Sequence, residues 1–277
     1  MRIATWNVNS VRTRKLRVVD FLVEADIDVG LLQETKCTDE QFPMEEFEAA
    51  GYEVFHWGLN QWNGVAIVSR RGLSHGEVGF AGMPGFDKHG VDPQPEARAV
   101  SATVGDMRLW SVYVPNGRGL HDPHMAYKLS WLDALGHAMA DYSRQHPDIQ
   151  TLVGGDFNVA PRPEDVGDPD FIEGVSTHIS PEERGALASL LSTAGLYDLV
   201  RPLVPEGFTY FDYKQGKFRK NHGIRIDFLF GGQAVADSVL AASIERDQRT
   251  GEQPSDHVPV VVKLDEGEED FDAPMVF

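Results

Sequence analysis

Cysteine is nearly missing: Cys37 is the only one in 277 residues, so no internal disulfide can form. That usage suits a reducing cytoplasm. No apolar run approaches the ~18 residues that span a bilayer. The start, Met1-Arg2-Ile3-Ala4-Thr5-Trp6, lacks the basic-then-apolar order of a signal peptide. A soluble cytoplasmic protein with no membrane contact is therefore expected. Basic residues are scarce as well, with 25 Lys and Arg against 43 Asp and Glu and a net charge of −18. None lies beyond Lys263, where Asp265, Glu266, Glu268, Glu269, Asp270 and Asp272 cluster. On its face this balance disfavours a polyanionic partner. Repeats and long linkers are absent too, so residues 1–264 read as one domain and 265–277 as a flexible acidic tail.

What is present begins with Thr151-Leu152-Val153-Gly154-Gly155-Asp156-Phe157-Asn158. The apolar residues read as a buried strand, and the glycines predict a sharp turn as it leaves the sheet. Asp156 and Asn158 are two apart and share one side of the exit, where α/β sheets bind ligands. Alone, the pair reads more readily as an Asx turn, the commoner fate of Asp and Asn after glycine.

The same pattern recurs along the chain. A strand over 2–6 precedes Asn7 and Asn9, and Ser10 is placed to cap a helix over 11–25 with Leu16, Val19, Leu22 and Val23 inward. A strand over 27–32 ends at Gln33-Glu34-Thr35-Lys36. Strands are expected at 52–57 and 64–69, then a long loop over 82–95. A hairpin around Gly105-Asp106 delivers Tyr113, followed by Asn116-Gly117-Arg118. Asp122-Pro123 opens a long helix, and Ser180-Pro181-Glu182-Glu183 is a capping box for another that stops at Gly195. His121 and His124 lack the further ligands of a zinc site, and Asp165, Asp168 and Asp170 read as a solvated loop. An aromatic strand is expected over 208–213, and strands over 223–230 and 258–264 flank Ser255-Asp256-His257.

Collected, the polar strand-end residues suit metal-assisted hydrolysis of a phosphate ester. Glu34 and Asp256, with Asn7 or Asn9, offer hard oxygens to Mg²⁺, or to Mn²⁺ in its place. Asp156 can activate a water and Asn158 orient it. His257 needs an orienting acid, for which Asp227 is the candidate, and the protonated ring would stabilise an oxyanion. Tyr113 and Asn116 can hold another phosphate oxygen. Ser255, Asp256 and His257 are adjacent and cannot assemble a serine-hydrolase triad with one another.

Seven ordered blocks resemble the exonuclease III family of the endonuclease/exonuclease/phosphatase superfamily: Trp6-Asn7-Val8-Asn9-Ser10 with Arg12, Leu32-Gln33-Glu34-Thr35-Lys36, Asn63-Gly64-Val65-Ala66-Ile67, Tyr113-Val114-Pro115-Asn116-Gly117, Gly155-Asp156-Phe157-Asn158, Arg225-Ile226-Asp227 and Ser255-Asp256-His257. The resemblance implies a four-layered α/β sandwich of two packed mixed sheets flanked by helices. It implies Mg²⁺-dependent cleavage of double-stranded DNA 5′ to abasic sites, and 3′-to-5′ exonuclease action at 3′ ends. By the same resemblance Glu34, Asn9 and Asp256 hold the metal and Asp156 with Asn158 activates water. Asp227, His257, Asn7, Tyr113 and Asn116 would serve the phosphate. Arg12 and its neighbour Arg14 would grip the DNA backbone, and Tyr210, Ile224 and Ile226 would wall a pocket for the base-less sugar. Lys217 and Arg219 fall in a basic stretch with Lys214, Lys220 and Arg225 that suits the same phosphate track, and Arg118 is expected to contact DNA as well.

Two other readings stand beside this one. A phosphoinositide phosphatase or deadenylase would share the superfamily, but Val159-Ala160-Pro161 follows Asn158 where such phosphatases usually place Arg. A catalytically dead DNA-binding module would show a lesion among the proposed catalytic residues, and none is seen. No apolar patch in the sequence demands a partner, so a monomer is expected.

Overall fold

The computed structural model describes residues 1–86 and 93–266. The expected loop over 82–95 and the acidic tail therefore fall partly outside the described residues. Along the chain run β1 (Arg2–Asn7), α1 (Val11–Glu24), β2 (Val29–Gln33), α2 (Met44–Ala49), β3 (Glu53–Trp57), β4 (Val65–Ser69), β5 (Ser74–Val78), β6 (Ala99–Val104) and β7 (Met107–Tyr113). Then come α3 (Pro123–Gln145), β8 (Gln150–Asp156), α4 (Pro181–Ala194), β9 (Tyr197–Asp198), β10 (Asp227–Gly231), α5 (Gln233–Asp237), β11 (Val239–Ile244) and β12 (Val260–Leu264).

The strands form two six-stranded mixed sheets, ordered β11-β12-β1-β2-β4-β3 and β5-β6-β7-β8-β10-β9. Alternation decides which side chain goes where. In β1, Ile3 joins the core between the sheets with Leu31, Leu109, Leu152 and Leu229. Ala4 and Trp6 face the other way, against Phe21 and Leu22 of α1. The second sheet packs its outer face on α3 and α4 through Trp131, Leu135, Leu187 and Leu190. The result is the expected helix–sheet–sheet–helix sandwich.

Helix entries follow the local chemistry. Asp122 accepts the His124 amide with Pro123 in the first turn, and the Ser180–Glu183 box opens α4, which stops at Gly195 with φ 65°. Ser10 departs from expectation. It sits before α1 at φ 86° and makes no capping bond; its hydroxyl meets Thr13 instead. Leu16 and Val23 of that helix are exposed, because the inward stripe is Val11, Val18, Phe21 and Leu22.

The twin glycines also act differently from the expected turn. β8 continues through them to Asp156. A Cβ on Gly155 would stand 1.9 Å from the Val112 carbonyl of neighbouring β7, so close strand approach explains this glycine. Residues 208–213 form no regular strand; Tyr210 alone bridges Ile224 and His257. Of the three aspartates expected in a solvated loop only Asp170 is exposed; Asp165 and Asp168 are buried and paired with Arg201 and Lys217. At the start of the expected flexible tail, Asp265 donates its amide to the Ser238 carbonyl and Glu266 pairs with the Met1 ammonium at 2.7 Å. No helix among the described residues is long and apolar enough to cross a membrane.

Candidate active site

Both sheets contribute strand ends to one rim of the sandwich. Asn7 closes β1 and pairs in register with Gln33 of β2, which hands the chain to Glu34. Tyr113 of β7 pairs with Asp156 of β8, and Asp156 with Asp227 at the start of antiparallel β10. Asp256 and His257 arrive from the segment before β12. Backbone strain collects here: Asn9, Glu34 and Asn158 have φ of 44°, 51° and 52°. Such values are uncommon for residues with a Cβ and persist only where surrounding bonds enforce them. Around Asn9 and Glu34 the bonds run from the Val8 amide to Gln33 O at 3.0 Å and from the Ser10 amide to Glu34 O at 2.7 Å.

The polar groups interlock around Asp156. Asn7 Nδ2 donates to Glu34 Oε1 at 2.8 Å and to Asp156 Oδ2 at 3.0 Å. The Asn158 amide donates to Asp156 Oδ1 at 2.9 Å. His257 Nδ1 lies 2.9 Å from Asp227 Oδ2, and its Nε2 stands 3.8 Å from Asp156 Oδ2. Asn158 Oδ1 meets Asn116 Nδ2 at 3.3 Å. Glu34, Asp156 and His257 converge so that one ligand atom from each lies within 4.8 Å of the others, close enough to hold a metal ion.

Burial and charge set the protonation states. Burial pushes the Asp156 carboxyl up to about 7; the His257 charge opposes that, while Asp227 and Glu34 add to it. Burial would lower the His257 pKa, but Asp227 and Asp156 outweigh it and raise the imidazole to about 10. Glu34 is desolvated too, yet Lys36 and Asn7 hold its carboxyl below the usual range. Burial and the neighbouring Glu34 charge keep the Tyr113 phenol protonated, its pKa well above the ordinary value.

A cavity of about 200 Å³ opens on this cluster, lined by Glu34, Tyr113, Asn116, Asp156, Asn158, Asp256 and His257 on its polar side and by Phe171, Tyr210 and Ile226. A cleft of about 690 Å³ continues from Tyr113 and Asn116 to Arg118 and Trp62. Asn9 and Asp256 stand together at the rim, Asn9 Nδ2 to Asp256 Oδ1 at 2.9 Å. Arg12, Arg118 and Arg219 are exposed.

Three expected substrate contacts are placed elsewhere. Ile224 is fully buried and packs behind the wall with Ala160 and Ile179. Lys217 is buried, its ammonium held between Asp168 and Asp170, so its charge is already matched by two carboxylates. Arg14 turns its guanidinium inward onto the Val8, Asn9, Gln253 and Pro254 carbonyls. The fork satisfies backbone acceptors there. Arg225, counted in the same basic stretch, is also fully buried and donates to the Val204 carbonyl at 2.8 Å.

Two site residues have no clear signal in the sequence. His178 Nε2 lies 2.9 Å from Asn158 Oδ1 and 3.1 Å from Asn116 Nδ2. Burial first, and then the Lys128 charge, push its imidazole down to about 3, so the ring is neutral. Lys36 sets its ammonium 2.7 Å from Glu34 Oε2 and 2.6 Å from Asn9 Oδ1. Its place at the end of the Leu32–Lys36 block, two residues beyond Glu34, is the hint the sequence offers.

Comparison with known proteins agrees with this geometry. Exodeoxyribonuclease III of Haemophilus influenzae is 29% identical over 270 residues, covering 94% of this chain and 98% of its own. A 3′ phosphatase from Neisseria, solved with a product DNA hairpin, superposes with a TM-score of 0.87 at 34% identity, covering 96% of this chain and 99% of that one. An AP endonuclease from Archaeoglobus fulgidus superposes at 0.85 with 30% identity, covering 96% and 99%. The endonuclease/exonuclease/phosphatase family model matches residues 4–257, which takes in every catalytic and metal-ligand candidate above. The chain therefore belongs to the endonuclease/exonuclease/phosphatase family.

Proposed function

We propose that the protein is a DNA repair nuclease that hydrolyses phosphate esters of double-stranded DNA at abasic sites and 3′ ends, with Mg²⁺ or Mn²⁺ as cofactor. One observation carries this reading. A carboxylate tuned near neutrality, Asp156, is gripped by Asn7 and the Asn158 amide and faces a protonated His257–Asp227 pair across 3.8 Å.

Each group has a task. Asp156 takes the proton from an attacking water, since a base works best with a pKa near the operating pH. The Asn158 carboxamide, held by its Nδ2 bond to the Val114 carbonyl at 2.9 Å, orients that water. His257 stays cationic at neutral pH and opposes charge that grows on a phosphate oxygen. Asp227 fixes its ring. Tyr113 and Asn116 offer further donors at the mouth of the cavity.

The donor set fits a hard cation. Glu34 Oε2 and Asn9 Oδ1 already converge on one positive group, the Lys36 ammonium, at 2.7 and 2.6 Å, and the Asp256 carboxylate lies beside Asn9. Oxygen ligands of this kind select Mg²⁺ or Mn²⁺. Bound by Glu34, Asn9 and Asp256, the ion would supply Lewis-acid stabilisation of the phosphate charge.

The cavity bears on the substrate. Its 200 Å³ is smaller than the ~300–1,000 Å³ of pockets that enclose drug-sized ligands. Phe171, Tyr210 and Ile226 make one wall apolar. A base-less sugar or a terminal phosphate suits it better than an intact nucleotide. The Neisseria 3′ phosphatase favours the terminal phosphate as a second substrate.

The test is a labelled duplex panel, with one abasic site, a recessed 3′ end or a 3′ phosphate, assayed with Mg²⁺ or with chelator. Metal-dependent attack on any of these duplexes is expected. Hydrolysis of phosphoinositides or poly(A) with no attack on DNA would overturn the reading.

A further inference from the structure

Behind the cavity a lysine and a glutamate are completely buried with 0% exposure, Lys128 in α3 and Glu183 in the first turn of α4. An ammonium has three protons to donate, and Lys128 has three acceptors. It reaches the Asn158 carbonyl at 2.6 Å, the Asn116 carbonyl at 3.2 Å and the Glu183 carboxylate. Two of the three acceptors are the backbone of residues whose carboxamides enter the site.

Glu183 is as fully engaged. Oε1 accepts from the His178 amide at 2.9 Å and lies 2.7 Å from the Thr177 hydroxyl. Oε2 accepts from the Ser180 amide at 3.1 Å and hydroxyl at 2.8 Å. One carboxylate thus completes the α4 cap and ties down the loop that brings His178 to Asn158 and Asn116. Gly117, at φ 89°, lets that turn sit on the lysine stem, since a Cβ there would fall 3.2 Å from Lys128 Cδ.

Stability alone does not explain such an arrangement. A buried ion pair is often no more stable than apolar residues of the same volume, because desolvating both charges offsets their attraction. Helix capping would need only Ser180 and Glu183. What the lysine adds is a common anchor for the loops after β7 and β8, since one ammonium holds the Asn116 and Asn158 carbonyls together and ties both to α4 through Glu183.

We propose that Lys128 and Glu183 are a positioning pair: a buried strut that sets the Asn116 and Asn158 carboxamides, and the His178 ring between them, for the attacking water and the phosphate. The kinetic part of this proposal rests on the hydrolytic function given above. The strut transmits no proton and touches no substrate. Its effect is geometric, and misplacement of about 1 Å can cost ~10²-fold in rate.

The experiment uses Lys128→Met, which keeps the stem, and Lys128→Met/Glu183→Gln, which removes both charges so that neither is stranded. The side-chain amides of Asn116, Asn158 and Asn7 are followed by ¹⁵N NMR, and cleavage of a 3′-ended duplex is measured at 25 °C. In the folded variants the Asn116 and Asn158 amide signals shift and exchange faster with water, while that of Asn7 holds. kcat falls ~10- to 10²-fold with KM changed by less than about threefold, as for lost transition-state contacts. Added to Asn158→Ala, the double substitution lowers kcat by a smaller factor than it does alone, because part of its effect runs through that side chain. Unmoved Asn116 and Asn158 signals would overturn the strut, as would a kcat loss that multiplies in full on Asn158→Ala. Failure of the unsubstituted protein to cleave any DNA would refute the nuclease reading instead, and the amide signals would still decide the strut.

Discussion

Asp227 Oδ2 stands 2.9 Å from His257 Nδ1, and this contact turns the opposite ring nitrogen toward Asp156, 3.8 Å away. The aspartate does two things at once. It orients the imidazole, and with Asp156 it lifts the ring pKa to about 10 against a burial effect that alone would lower it.

The pH profile should follow. In Asp227→Asn the charged partner is gone, so His257 loses its proton at lower pH and the alkaline limb of kcat/KM moves down from near 10. At pH 8 the rate falls by ~10²-fold, a common scale for a positioned acid–base group. Stability carries the same sign. The folded pKa lies above the unfolded one, so the stabilisation is complete below ~6.5 and disappears as pH rises through 10. Asp227→Asn should therefore destabilise the protein more at pH 6 than at pH 10.5 in urea unfolding. An alkaline limb left where it was would remove Asp227 from this role.

Asp156 makes the opposite bargain with stability. Its pKa is raised to about 7 from 3.8, chiefly by burial, so ionising it disfavours the folded state between those values. Asp156→Asn should lose activity by ~10²- to 10⁴-fold, the range for removal of a general base. Because Asn resembles the protonated acid, the Tm of the variant relative to the parent should rise from pH 4 to pH 8. A flat difference over that range would mean that the carboxylate is not held at a cost.

The exposed and buried cations divide sharply in what they should do to DNA binding. Arg12 and Arg118 are exposed at or near the site rim, and replacing either by Ala should reduce the slope of log K against log salt by about 1. Lys217 is locked between two aspartates. Lys217→Ala should leave the slope unchanged and lower Tm instead. A loss of slope equal to that of Arg12→Ala would return Lys217 to the DNA track.

These cases mark what the sequence makes legible. Period-two alternation and turn residues locate most strands, and a polar residue at a strand's exit is visible as such at Glu34 and Asp156, whereas Asp227 reads as inside the strand over 223–230 and in fact opens β10. Long-range pairing is not. Nothing local tells Lys217, which is buried on Asp168, from exposed Arg219. Nothing before α4 marks His178 as a neighbour of Asn116, since that contact needs the loops after β7 and β8 to meet. The 208–213 aromatics fit strand propensity, but their backbone follows tertiary contacts: the Phe211 amide bonds the Asp256 carbonyl at 2.8 Å. Leu16 and Val23 likewise match a helical period approximately and still fall on the solvent side.

The position of Arg14 in the fold reverses its expected role. Its Nε donates to the Gln253 carbonyl at 2.9 Å, and Nη2 donates to the Pro254 carbonyl at 3.1 Å and the Tyr213 hydroxyl oxygen at 3.0 Å. Nη1 bonds the carbonyl of Asn9 itself, and the Tyr213 hydroxyl lies 3.3 Å from Asn9 Nδ2. The guanidinium thus braces a residue held at φ 44° from both its backbone and its side chain. A left-handed Asn relaxes when such bonds are cut, and its Oδ1 then leaves the oxygen set it shares with Glu34. Arg14→Ala should accordingly weaken Mn²⁺ binding, read directly by titration calorimetry, by ~10-fold or more, the scale on which outer-shell supports act. The salt slope of DNA binding should stay that of the parent. If instead Mn²⁺ binds equally well and the slope falls by about 1, Arg14 contacts the phosphate backbone and the brace is incidental.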